Sequence, residues 1–213
     1  KRIVFVNFSG AAIALEPESL NCEAILQAWY PGQAGGQAVA EVLFGDYNPA
    51  GKLPLTFYCN LAQIPDFEDY NMTGRTYRYM KETPLFPFGH GLSYTTFKYG
   101  KLKMNDDKIA AGQNLNLVIP VTNTGSRDGD EVVQVYLKKM DDTEGPVKTL
   151  RAFKRVRIPA GKTVEVKFSL DDTQLEWWDE QSNTMRVCPG NYTVMIGGTS
   201  CEKSLLSRTF TIR

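Results

Sequence analysis

The chain has little that would direct it to a membrane or to a nucleic acid. No apolar stretch approaches the roughly 20 residues that a transmembrane helix needs. The 24 Lys and Arg residues equal the 24 Asp and Glu residues in number, and neither sign forms long runs. The basic surface expected of a nucleic-acid or anionic-membrane binder is therefore missing. The composition predicts no membrane span and no nucleic-acid partner.

Cysteine and histidine are also scarce. The four cysteines have no C-x-x-C spacing, and His90 is the only histidine, so the usual ligands of a structural zinc site are lacking. Cys188 and Cys201 flank a predicted hairpin with strands at about 192–196 and 205–212. They would lie at opposite ends of it, farther apart than the about 7 Å between Cα atoms that a disulfide allows. The sequence predicts free thiols, no metal and no cofactor.

Residues 1–60 alternate strand-like and helix-like segments. Ile3–Val6 is a continuous apolar run, typical of a parallel strand covered on both faces, and Ile25–Tyr30 is a second such run. Ala38–Phe44 has helical spacing and stops at Gly45. Lys52–Phe57 is expected to be extended and interrupted by Pro54. These patterns predict α/β architecture. The chain starts at Lys1 without the features of a signal peptide, and we expect it to be a segment of a longer polypeptide.

From about residue 97 the patterns are those of an all-β domain. Short runs rich in β-branched and aromatic residues, several with period-2 alternation, are separated by Gly, Pro and Asn turns. These runs are Leu115–Thr122, Glu131–Leu137, Thr163–Leu170 and Tyr192–Ile196. About seven strands in this length predict a β-sandwich. Residues 61–96 are polar, aromatic and aperiodic, and we expect them to wrap over a neighbouring domain.

Two ordered motifs, Gly45–Phe57 and Phe86–Phe97, resemble signature segments of the C-terminal half of family 3 glycoside hydrolases. Val121–Gly125, Asp128–Leu137 and Leu150–Val156 resemble the fibronectin type III-like module that closes many of these enzymes. The resemblance covers essentially the whole chain. It implies the C-terminal portion of a doubly wound α/β-sandwich domain at 1–60, a wrapping connection at 61–96 and a fibronectin type III-like β-sandwich at 97–213.

The resemblance also implies a function for the intact parent. Family 3 members are retaining exo-acting β-glycosidases, and their nucleophile Asp and acid/base Glu lie in parts of the enzyme that precede this chain. The chain is therefore expected to carry no catalytic residue, to be inactive by itself, and to have the N-terminal barrel portion of the same enzyme as its partner. The intact parent would act on an oligosaccharide. Three further segments are most similar to the β-xylosidase branch, with β-glucosidase as the alternative: Asn7–Leu15, Ala28–Gly36 and Gly74–Tyr79. Localisation would be periplasmic or secreted.

Several residue types of the connection are those that functional sites use. Asp66, Glu68 and Asp69 form the densest carboxylate cluster of the connection, but a solvated or domain-contacting loop is the better interpretation. Gly74–Tyr79 is interpreted as an inter-domain clamp rather than a sugar contact. His90, between two glycines, is expected to pack or to hydrogen-bond locally.

Three other segments have a structural and a functional interpretation. Gly32–Gly36 fits strand-to-helix packing better than a phosphate cradle, because the P-loop Lys and Ser/Thr are absent. Asp128, Asp130 and Glu131 fit a turn better than a calcium site. One ring of Trp177–Trp178 is expected to face the core and the other the surface, where it would serve as a sugar platform if the chain were a stand-alone binding or scaffold module.

Overall fold

The computed structural model describes all residues from Lys1 to Arg213. The strands are β1 (Val4–Asn7), β2 (Ala24–Gln27), β3 (Phe97–Tyr99), β4 (Lys103–Met104), β5 (Lys108–Ile109), β6 (Leu115–Asn123), β7 (Gly129–Lys139), β8 (Thr149–Ile158), β9 (Thr163–Leu170), β10 (Trp177–Asp179), β11 (Thr184–Arg186), β12 (Gly190–Gly197) and β13 (Leu206–Ile212). The helices are α1 (Glu16–Asn21), α2 (Gly35–Phe44), α3 (Thr76–Tyr79) and α4 (Asp172–Leu175), and 3₁₀ turns occur at Leu61–Gln63 and Glu202–Ser204. None of the helices has the length and apolar character needed to cross a bilayer.

The first 60 residues contain a parallel strand pair and two helices, as α/β patterns predict. β1 pairs with β2 in parallel, with Val4 opposite Ala24. The predicted second strand was too long, because Trp29 adopts a left-handed conformation with φ 56° and ends the extended run before Pro31. α2 ends at Gly45, which has φ 84° and caps the helix as predicted.

Lys52–Phe57 forms no regular strand. Its only β-pairing is an isolated bridge between Phe57 and Phe86. Pro54 has no N–H to offer to a ladder, which accounts for the interruption.

The second half is a sandwich of two sheets. One sheet has the order β5-β13-β12-β7-β8. In the other, β6 pairs with β9 from Leu115 to Thr122 and with the short strands β3 and β4. All these pairs are antiparallel except β13 with β5. The predicted fold class, a partial α/β unit followed by an all-β sandwich, is confirmed.

The hydrophobic core belongs to the sandwich alone. Its 21 buried residues all lie between Leu102 and Ile212. Leu115, Leu117, Ile119 and Val121 alternate inward along β6 and are fully buried, as their period-2 pattern predicts. Each such side chain contributes about 1.5–3 kcal/mol through burial. The sandwich therefore has an independent core.

Residues 1–96 have no comparable core. Of the 22 large apolar side chains that are exposed, 17 lie in this part, and ten of those lie in residues 1–60. They include Val4, Phe8, Leu43 and Phe44. Such side chains offer apolar surface that another part of a protein can bury. We call the exposed apolar side chains of residues 1–60 the uncovered face.

Candidate functional site: the joint between the two halves

Tyr77 in α3 connects the first half of the chain to the sandwich. Its ring stacks on Phe88 with centroids 4.3 Å apart and meets Tyr136 of β7 edge-on at 5.9 Å. Its backbone N–H donates to Thr56 Oγ1 at 3.0 Å, and its hydroxyl accepts from the N–H of Leu150 in β8 at 3.2 Å. One side chain thus contacts both halves, which agrees with a clamp role for Gly74–Tyr79 within this chain.

A buried ion pair makes a second connection. Lys52 Nζ lies 3.4 Å from Glu131 Oε1 at the start of β7 and also donates to the carbonyl of Gly91 at 2.9 Å. The hydroxyl of Tyr99 donates to the same carboxylate oxygen at 3.1 Å. Burial, followed by the charge of Glu131, holds the pKa of Tyr99 far above its usual range, so the hydroxyl remains a donor.

Gln134 makes the third connection. Its Nε2 donates to the carbonyls of Gly89, at 3.3 Å, and Gly198, at 2.7 Å, and its Oε1 accepts from the Tyr136 hydroxyl. Gly89 has φ 79°, and a Cβ there would collide with the Gln134 amide, so only glycine fits. We call Lys52, Tyr77, Tyr99, Glu131 and Gln134, with their contacts, the joint.

His90 lies beside the joint and packs as predicted. Its ring stacks on Phe86 with centroids 5.4 Å apart. Burial lowers the pKa of His90, and the positive charge of Lys52 lowers it further, so the ring is neutral at pH 7. These contacts assign it a packing role.

No sequence motif pointed to Lys52 or Gln134. Glu131 was interpreted with Asp128 and Asp130 as part of a turn, whereas Asp130 and Glu131 lie in β7. A usable signal existed at Glu131, which lies in phase with the inward-facing Val133 and Val135 of β7, where an unpaired carboxylate would be costly. Its partner Lys52 lies far away in the chain, in a segment without periodicity. The Lys52–Glu131 pair therefore cannot be predicted without the three-dimensional fold.

Glu131 predicts a pH dependence of stability. Burial raises its pKa above the ordinary value, and the Lys52 charge opposes this only in part. A raised carboxyl pKa gives stability that is complete below the unfolded pKa and is lost as the pH rises through the folded pKa. We expect the free energy of unfolding of the wild type, relative to Glu131→Gln, to fall as the pH rises above the ordinary carboxyl pKa of about 4.3 and through the raised pKa of the folded state. Urea unfolding followed by tryptophan fluorescence measures it.

Asp130→Asn is the matched control for that experiment. Asp130 is the neighbouring residue on β7 and pairs at the surface with Arg155 at 2.7 Å. Because exposed ion pairs contribute little, Asp130→Asn is expected to change the free energy of unfolding only slightly. If the difference in free energy of unfolding between the wild type and Glu131→Gln did not change with pH, burial would not raise the pKa of Glu131 as described.

The loop carboxylates are not arranged for glycoside cleavage. Asp66 and Glu68 are exposed. Hydrogen bonds from Asn71 lower the pKa of Asp69, whereas a glycosidase general acid needs a raised one. Arg75 donates to the backbone carbonyls of Asp66, Asp69 and Asn71 and so fixes this loop. Within the Gly74–Tyr79 segment, Tyr77 rather than Arg75 contacts the sandwich.

The remaining candidate segments make structural contacts. A Cβ on the buried Gly35 would lie 2.6 Å from the Pro31 ring, so this glycine lets the loop before α2 pack against the start of the helix. Asp128 accepts from the N–H of Ala160 and from Arg157. Trp177 is 4% exposed and Trp178 51%, so the predicted division between core and surface is confirmed. All four cysteines are free, as predicted.

Two family models match the chain, one in its first half and one in the sandwich. Residues 1–94 match the family model described as "Glycosyl hydrolase family 3 C-terminal domain", and residues 131–200 match "Fibronectin type III-like domain". The whole chain is 53% identical to a xylan 1,4-beta-xylosidase of Xylanibacter ruminicola, of which it covers 24%. Over 95% of its length it is 38% identical to a periplasmic beta-glucosidase of Salmonella typhimurium, of which it covers 28%.

A solved structure shows the same similarity to this family of enzymes. The β-glucosidase EmGH1 from Erythrobacter marinus superposes with a TM-score of 0.85 and 37% identity over 99% of this chain and 28% of that protein. The chain thus spans about a quarter of the length of the relatives it matches.

Proposed function

Because this chain belongs to family 3 of the glycoside hydrolases and corresponds to their C-terminal domains, we propose that it is the C-terminal structural portion of a retaining exo-acting β-glycosidase, most similar to β-xylosidases. The observation that carries the proposal is the 53% identity of this whole chain to a segment of a xylan 1,4-beta-xylosidase. The similarity to β-glucosidases keeps that activity as the alternative.

In this proposal the chain supports catalysis without performing it. A retaining glycosidase needs two carboxylates about 5–5.5 Å apart, one with a raised pKa. The exposed acids of the connection do not meet that requirement. The uncovered face instead supports a structural role, because it offers apolar surface for the rest of the enzyme to bury.

We divide the chain into a partial α/β-sandwich domain at 1–60, a wrapping connection at 61–96 and a fibronectin type III-like sandwich at 97–213. The partner is the N-terminal barrel portion of the enzyme, whose contact would cover the uncovered face. The parent would act on an oligosaccharide in the periplasm or outside the cell. The periplasmic relative supports that location.

A direct assay tests the claim of inactivity. The purified chain is expected to release no nitrophenol above buffer rate from nitrophenyl β-xyloside or β-glucoside, because the acids of the loop at 66–69 are exposed or have a lowered pKa. A variant with Asp66→Asn, Glu68→Gln and Asp69→Asn is the control and is expected to give the same baseline. Steady turnover by the wild type that this variant lacks would contradict the proposal.

A further inference from the structure

A cleft of about 730 Å³ lies on the sandwich, and no residue of 1–60 lines it. Its walls come from the loop between β7 and β8, from the β10–β11 hairpin, and from Arg78 and Tyr79 at the end of α3. The family-model matches and the proposed structural role leave this cleft without a function.

Two arginines in this cleft have no acidic partner. The Arg78 guanidinium lies 5.6 Å from the Tyr79 ring centroid, and no hydrogen bond from it to the protein is present. Arg151 lies 5.1 Å from the Trp177 ring centroid and donates to the carbonyl of Glu176 at 2.7 Å. The Nε atoms of both arginines are buried without a hydrogen-bond partner. Neither arginine is in one of the four ion pairs of the structure.

Two carboxylates of the cleft already have donors of their own. Asp142 accepts from Trp177 Nε1 at 2.6 Å, and Asp179 pairs with Arg186 at 2.6 Å. Hydrogen bonds from Ser182 and Arg186 lower the pKa of Asp179 to about 2, so it remains a charged acceptor. The buried Nε atoms cannot reach a ligand, but the terminal guanidinium nitrogens that make no hydrogen bond are not buried. They are left available for an anion, for which a planar carboxylate has the matching geometry.

The charge of the walls limits what that anion can be. The lining includes five acidic residues beside four basic ones. A polyanion would meet repulsion along most of such a surface, whereas a ligand with one carboxylate can place it at the arginines. Neutral polar groups of the ligand would face the remaining carboxylates, which accept hydrogen bonds from hydroxyls.

An aromatic surface lies in the same cleft. Trp178 alternates with the buried Trp177 on β10 and leaves about half of its surface exposed. An exposed indole combines an apolar face with low conformational cost, which suits stacking against a sugar ring. We propose that this cleft binds an oligosaccharide that carries a single uronic acid, with the carboxylate on Arg78 and Arg151 and a neighbouring sugar on Trp178.

Calorimetric titration of the full chain with two ligands tests the proposal. One ligand is a xylo-oligosaccharide bearing one glucuronic acid, and the other is the same compound with its carboxyl group reduced to an alcohol. The acidic ligand is expected to bind at least about tenfold more tightly, with the difference shrinking at high salt. Equal affinities, or no binding of the acidic ligand, would overturn the proposal.

Variants locate the site. Arg78→Gln and Trp178→Ala are each expected to weaken binding of the acidic ligand about tenfold or more. Arg157→Gln removes the same charge from an exposed pair with Asp128 outside the cleft and is expected to change it less than about twofold. Equal losses in Arg78→Gln and Arg157→Gln, or tighter binding of polygalacturonate than of the single uronic acid, would contradict it. The wild-type ligand pair remains decisive if a variant fails to fold.

Discussion

The xylan 1,4-beta-xylosidase of Xylanibacter ruminicola, shortened by the segment that matches this chain, is expected to lose at least about 100-fold in kcat/KM on nitrophenyl β-xyloside. Joining this chain in place of the removed segment is expected to restore most of that loss. The reason is geometric, since a catalytic pair needs support to within about 0.5 Å and a misplacement of about 1 Å costs about 100-fold. A fully active shortened enzyme, or a soluble hybrid without activity, would contradict the proposed role.

Substitutions in the hybrid separate the joint from the cleft. Arg75 fixes the loop that carries Phe67 and Tyr70, which are 94% and 91% exposed in this chain and therefore available to the rest of the enzyme. Tyr77 holds the connection to the sandwich. Arg75→Ala and Tyr77→Ala are each expected to reduce the restored activity more than Trp178→Ala does. A larger loss of activity in Trp178→Ala than in the other two variants would mean that a different surface supports the catalytic part.

Amide hydrogens of residues 1–60 in the free chain are expected to exchange at least about 100-fold faster than those of β6, β7 and β12. If about ten large apolar side chains lose half of the roughly 1.5–3 kcal/mol that burial gives each, the loss of about 7–15 kcal/mol equals the stability of a whole domain. The exposed side chains of the uncovered face number ten.

The sandwich provides the internal control for that experiment, because its 21-residue core is complete. Exchange is measured by mass spectrometry on a dilute sample shown to be monomeric by light scattering. Slow exchange in residues 1–60 of that monomer would mean that this part is stable without a partner.

Local patterns predicted the long elements of this fold. Leu115 to Val121 alternate with polar neighbours, and that period-2 pattern identified both β6 and its buried face. Gly45 identified the end of α2, because a left-handed residue stops a helix without steric cost only when it is glycine. Trp177 and Trp178 divided between core and surface by the same alternation.

Features that depend on distant parts of the chain were beyond the sequence analysis. β4 and β5 contain two residues each, too few to show a period, and form because β6 and β13 offer free edges. Trp29 ends β2 through its backbone conformation, which its residue type does not signal. The Lys52–Glu131 pair and the two unpaired arginines depend on segments that only folding brings together.

The central claim is that residues 1–96 complete a larger enzyme, and hydrogen exchange with and without the N-terminal piece tests it most directly. The piece is the shortened Xylanibacter ruminicola enzyme, mixed with this chain at saturating concentration. Exchange is expected to slow in residues 1–60 and in the loop at 66–71, and to remain unchanged in β6, β7 and β12. Unchanged exchange throughout, with both proteins soluble and folded, would contradict the claim.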